Sequence, residues 1–302
     1  MKLSIHNIAQ LLLINSEVFK SNGLNGKMPL VYFFFNYGAK YSKQQYSELA
    51  FEILEDVLME ELSAIEKHTG EANSKIASIG WSLIQFIENG YFESDDLEDI
   101  LELIDNSAQA DFEILIEKDI DINNLSDFII HGHYILERVK LLKNNNPFLL
   151  KLNEALQSVL LKLDENYNLI INSGYLNHLL YIDFLKKSKP DSYKEFNHIK
   201  APKVKETKEN TFSSLINNKS YEVGIIFNEL YFRDTELYKK NKLIVLKQIE
   251  NDINKLMKSL LNKTNDYSLL FSKLIIQAIF LCRDNESKDQ NLFLLGLFNN
   301  LK

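Results

Sequence analysis

Residues 77–87 read ASIGWSLIQFI, an apolar run that a glycine, Gly80, opens near its start. The same pattern returns at Gly132 (IIHGHYILERV), Gly174 (INSGYLNHLLY), Gly224 (YEVGIIFNELYF) and Gly296 (FLLGLFNNL), with a glycine-less version at Leu30 (MPLVYFFFNYG). Neighbouring anchors lie 50, 52, 42, 50 and 72 residues apart, about the length of one helical hairpin each. Self-similarity at such a period marks a repeat architecture, in which hairpins stack or close into a ring. The anchor runs are apolar on more than one face: residues 32–35 are four aromatics in succession, and Trp81, Leu83, Ile84, Phe86 and Ile87 surround their axis. Helices apolar all round belong in an inner layer. Between them lie one-faced segments. In QYSELAFEILEDVLMEELSAIEKH, residues 45–68, Ala50, Leu54, Val57, Leu58 and Ile65 form a single stripe under an acidic face. PFLLKLNEALQSVLLKLDENY, with Pro147 at an early helical position, and residues 234–262 read the same way. These are outer helices. The pattern predicts an all-α fold in which about six or seven hairpins form an α/α toroid, the long gap before Gly296 holding a further inner element around Tyr267 to Leu281.

Composition agrees. The chain has 302 residues, of which 45% are hydrophobic, but only four prolines and ten glycines, which favours long helices over a turn-rich sheet protein. It contains no Pro/Gly/Ser-rich linker, so residues 1–302 read as one domain. The beginning, MKLSIHNIAQLLLINSEV, is broken by His6, Asn7 and Gln10 and lacks the form of a secretory signal. No uninterrupted apolar stretch is long enough to span a bilayer. Cys282 is the sole cysteine, which removes any internal disulfide framework and fits a reducing compartment, so the cytoplasm is the expected location.

The net charge of −8 hides an asymmetry. Residues 1–127 carry 8 Lys and Arg against 23 Asp and Glu, a balance of −15, and the remainder carries 26 against 19, a balance of +7. The basic half is interrupted by acids and has no Arg-rich stripe, which argues against nucleic acid as a partner. The split reads as a solvated face on outer helices, as an attraction between the two halves, or as an acidic surface for a basic peptide or partner.

A family resemblance enters through YFFFNYGAKYSKQQYSELAFEILEDVLMEEL, then ASIGWSLIQFIENGYFESDDLEDILELID, then GHYILERVK. Across residues 29–140 the chain resembles bacterial lanthionine synthetase C-like proteins, and the Ile79-Gly80-Trp81 motif carries most of the likeness. The resemblance implies an α/α toroid and a place in the maturation of a ribosomally made peptide. In that family inner helices commonly start with Gly-x-x-Gly. Here the first glycine is replaced by Ala77, Ile129, Ile171, Tyr221 and Phe293, which predicts altered inner-helix starts. The cyclases hold zinc through a cysteine, a separate Cys-His pair and an open position, whereas this chain has one cysteine and no Cys-His dipeptide. Zinc matters to that reaction because coordination deprotonates a thiol that is otherwise mostly protonated at neutral pH. The expectation is therefore a non-catalytic member with no cofactor, binding a precursor peptide or a peptide-modifying enzyme. Tyr32, Trp81, Tyr134 and Tyr175 are the candidate peptide-binding residues, offering ring faces and hydroxyls.

Alternatives remain open at this stage. His131 and His133 flank Gly132, and His178 lies one turn into the next anchor run; three imidazoles and a water would make a zinc site and, with it, a cyclase of unconventional ligands. Equally, each could be a core, cap or surface residue. Cys282, in an apolar run, reads as a buried small hydrophobe or a reactive thiol. Asp95, Asp96, Glu98 and Asp99 could serve a glycan-acting toroid as paired acids, or could favour the start of the helix that follows them. Residues 201–220, polar and lysine-rich, read as a loop or as a lid that docks a peptide. No Gly-Lys-Ser/Thr phosphate loop, His-Glu-x-x-His or Gly-x-Ser-x-Gly sequence is present.

Overall fold

The structure is a computed structural model that describes residues 4–65, 74–142, 148–173 and 175–188, together with Phe271, Ser272, Leu274, Ile275, Ala278, Ile279, Cys282 and Phe293. All regular structure among them is helical, so the fold is all-α. The helices are α1 (Ile5–Ile14), α2 (Lys27–Tyr41), α3 (Gln44–Ile65), α4 (Lys75–Glu88), α5 (Leu97–Ile116), α6 (Leu125–Leu141), α7 (Phe148–Glu165), α8 (Tyr167–Ser173) and α9 (Tyr175–Ser188), with a 3₁₀ turn at Ser16–Val18. No described helix is long and apolar enough to cross a membrane.

Two layers are visible. In α2 every residue from Met28 to Phe35 is buried, in α4 every residue from Ile76 to Phe86, and in α6 every residue from Phe128 to Arg138. Helices with no solvent face can only sit inside other helices. α2 packs on α4, α4 on α6 and α6 on α9, while α3, α5 and α7 pack against these and against one another. The outer helices bury single stripes, such as Ala50, Leu54, Val57 and Glu61 on α3 and Leu152, Ala155, Leu156, Val159 and Leu163 on α7. On α3 the expected stripe is corrected at one end. Leu58 and Ile65 are only partly buried, and Glu61 takes a fully buried place because Asn22 and Lys75 bind its carboxylate.

The glycines require a second correction. Gly80 and Gly132 do not open helices; both lie well inside them, α4 starting at Lys75 and α6 at Leu125. Their role is close approach. A Cβ on Gly80 would sit 2.5 Å from Tyr134 Cε2 and 2.8 Å from Ile104 Cγ2, and one on Gly132 would sit 3.0 Å from both Phe184 Cζ and Val159 Cγ1. Ala77 and Ile129 are buried residues within α4 and α6. Local signals set the ends instead. The Ser4 side chain accepts the Asn7 amide to cap α1. Ser42, at φ 53°, turns the chain out of α2 in the left-handed conformation, and the Lys43 amide donates to the Gly38 carbonyl at 2.9 Å.

Described residues near the C-terminus return to the beginning of the chain. Phe293 stacks on Tyr32 of α2 at 4.2 Å between ring centres and on Phe86 of α4 at 5.8 Å, and lies 4.9 Å from Trp81. Phe271 packs edge-on against Phe19, and Lys40 Nζ donates to the Cys282 carbonyl at 2.8 Å. Phe271, Ser272, Leu274, Ile275, Ala278 and Ile279 are helical and buried, in the stretch where a further inner element is expected. The anchors Gly174, Gly224 and Gly296, the polar stretch 201–220, the helix expected over 234–262 and Pro147 lie outside the described residues.

Candidate functional site

The densest polar constellation joins α5 to α6. Asp105 interrupts the buried stripe of α5 between Ile104 and Ala108, and Arg138 ends the buried run of α6. Their side chains meet in the core, where the guanidinium is 1% exposed and the carboxylate 3%. Arg138 Nε donates to both Asp105 oxygens at 3.0 and 2.9 Å, and Nη2 donates to Oδ2 at 2.7 Å. Tyr134, one turn before Arg138, donates its hydroxyl to Asp105 Oδ1 at 2.6 Å. On its outer side Arg138 reaches Glu98 in the first turn of α5, at 3.2 Å from Nη1 to Oε2 and 2.8 Å from Nη2 to Oε1. Burial works against the Arg138 cation, but the hydrogen bonds to Glu98 and Asp105 and the Asp105 charge more than offset it and raise its pKa. Burial first, then the adjacent Asp105 carboxylate, pushes the Tyr134 phenol far above its ordinary range and keeps it a neutral donor. Such an arrangement fixes the spacing and rotation of two helices.

Two smaller ion-pair groups do similar work. Glu61 of α3 accepts Asn22 Nδ2 at 2.8 Å and pairs with Lys75 at 2.8 Å, while the Leu24 amide donates to Ser78 Oγ at 3.2 Å. These bonds tie the loop before α2 to the start of α4. Glu137 of α6 pairs with Lys140 at 2.8 Å and with Lys187 of α9 at 3.8 Å. The four buried charged side chains among the described residues, Glu61, Asp105, Glu137 and Arg138, are thus all paired.

The two candidate histidines on α6 diverge. His131 turns toward α5, with its ring 6.1 Å from that of Phe112 and Nδ1 3.0 Å from the Asp127 carbonyl; Nε2 is buried without a partner. His133 turns toward α9, with Nε2 3.2 Å from the Leu180 carbonyl and its ring 5.6 Å from that of Phe184. Residues two apart on a helix point about 200° apart, so this pair does not converge on one ion. Tyr175 and His178 belong to α9, but their side chains lie outside the described residues. Among the described residues no three His, Cys, Asp or Glu side chains come together to hold a metal. With Cys282 as the sole cysteine and no Cys-His dipeptide in the sequence, the residues present do not fit the cyclase zinc set.

Three of the four aromatic candidates sit in the core and not on an open rim. Tyr32, Trp81 and Tyr134 are 4%, 3% and 1% exposed, the first two packed around Phe293 and the third bound to Asp105. Cys282 is buried too. Of the acidic group, Asp96 stands at the start of α5 without a side-chain cap, Glu98 and Asp99 lie in its first turn, and Glu98 is drawn to Arg138. Sequence reading passed over Asp105 and Arg138. Their signal was there: each is a charged residue inside an apolar stripe, a position tolerated only when the charge has a partner. No protein-family model matches the chain, and neither curated proteins nor solved structures yield a match.

Proposed function

We propose that this chain is a lanthionine synthetase C-like toroid that binds and does not catalyse, holding a precursor peptide or a peptide-modifying enzyme during maturation of a ribosomally made peptide. The observation that carries the reading is the pairing of inner helices α2, α4 and α6 with an outer layer, together with the return of Phe293 and Cys282 to α2. Contact between the end of a hairpin array and its first hairpin is what a closed ring requires. The resemblance over residues 29–140 supplies the peptide context. Absence of a second cysteine and of a Cys-His pair from the sequence favours a binding role over zinc-dependent thioether formation. The use of all four described buried charges in helix-to-helix pairs accords with a scaffold.

Two measurements on untagged protein test this. Calorimetric titration with a panel of lanthipeptide-type precursor peptides and dehydratase-type modifying enzymes should give saturable binding to at least one. Elemental analysis after reconstitution with zinc should give far less than one zinc per chain. Stoichiometric zinc together with thioether formation on a dehydrated peptide would overturn the non-catalytic reading, and no association with any such partner would overturn the peptide-maturation reading.

A further inference from the structure

We propose that the histidine pair of α6 makes the seating of that helix acid-sensitive, so that mild acid loosens α6 from α5 and α9 before the rest of the hairpin array. His131 and His133 are 1% and 2% exposed and lie on either side of Gly132, where Val159 of α7 and Phe184 of α9 approach so closely that a single added carbon would meet both at 3.0 Å. A proton on His131 would create a cation beside the uncharged Phe112 ring of α5, with Asp127 of its own helix as the one nearby opposite charge among the described residues. The buried Nε2 has no acceptor for the new N–H, which is the costly case of an unmet buried donor. Around His133, burial opposes a cation most strongly and Lys187 of α9 adds to that, while Asp183 of α9, the Leu180 carbonyl and Glu137 of α6 act the other way without offsetting burial; Lys187 is itself held by Asp183 at 3.1 Å and Glu137 at 3.8 Å.

Burial accordingly holds both imidazoles below their ordinary value. A histidine neutral in the folded state and free in the unfolded state takes up a proton preferentially on unfolding once pH falls below about 6.5. Stability from this source is complete above that pH and is lost below it. Two such groups lower the folding equilibrium constant by up to about 100-fold per pH unit, tenfold for each proton.

Urea unfolding of the full chain followed by fluorescence of Trp81, the single tryptophan, reads this directly between pH 7.5 and 5. The wild type is expected to lose stability steeply below pH 6.5, and the His131→Phe/His133→Asn variant to follow a flatter profile. In amide exchange corrected for intrinsic rate, α6 and α9 should open before α2 and α3. Superimposable pH profiles for variant and wild type, or simultaneous opening of all helices, would overturn the proposal. Should the variant not fold, imidazole proton NMR of the wild type decides. Two of the six histidines staying neutral until α6 opens supports the device, and all six titrating near 6.5 with the fold intact overturns it.

Discussion

Replacing Arg138 by methionine is the most discriminating perturbation of the fold, because the two arms of its ion-pair network sit in different surroundings. Toward the interior, the guanidinium and the Asp105 carboxylate are 1% and 3% exposed, and the substitution leaves that carboxylate buried with only the Tyr134 hydroxyl to satisfy it. Removing one partner of a buried pair costs about 3–5 kcal/mol. Toward solvent, the Glu98 side chain is 59% exposed, so its ion pair contributes roughly 0–1 kcal/mol. Glu98→Gln should therefore be nearly silent while Arg138→Met is severe. The triple change Arg138→Met/Asp105→Leu/Tyr134→Phe removes the whole buried group and should recover most of the loss, since packed apolar residues replace buried ion pairs at little or no cost. Urea denaturation followed by Trp81 fluorescence supplies the free energies. If Arg138→Met cost no more than Glu98→Gln, or if the triple variant were weaker than the single one, the assignment of the network as a buried helix-to-helix clamp would be refuted.

Three further outcomes are expected. Gly80→Ala should destabilise by about 1–3 kcal/mol through overpacking against Tyr134 and Ile104, despite the better helix propensity of alanine; a gain measured by thermal unfolding would contradict the close approach. Ser42→Gly should raise stability by about 0.5–1 kcal/mol, because Ser42 holds φ 53° at the end of α2 where glycine carries no steric penalty; circular dichroism melts would check it. Phe293→Ala should cost about 3–5 kcal/mol and shift the emission of Trp81, which lies 4.9 Å from the Phe293 ring. A mild, spectroscopically silent effect would show that the described C-terminal residues do not hold the first hairpin.

Much of the layering was legible in the sequence, for a physical reason. The apolar residues on more than one face of 32–35 and 81–87 are a property of each helix by itself, and so is the single stripe of α7; each dictates whether a helix lies inside or outside before any neighbour is known, whereas the burial of His131, His133, Glu137 and Arg138 along α6 is set by its neighbours. The spacing of the anchors likewise gave the hairpin length. The use of the glycines was not legible, because Gly80 and Gly132 act through side chains from other helices, Tyr134 and Phe184, and a pattern read along one helix contains no such partner. The candidate site divides in the same way. The absence of a cyclase ligand set is a matter of residue inventory and follows from one cysteine and no Cys-His pair. Where His131 and His133 point, that Tyr32 and Trp81 enclose Phe293, and that Asp105 meets Arg138 across 33 positions were decided only when the helices packed. Local periodicity determines which face of a helix avoids water; tertiary packing determines what that face meets, because a buried charge or ring is stabilised only by the particular partner brought to it.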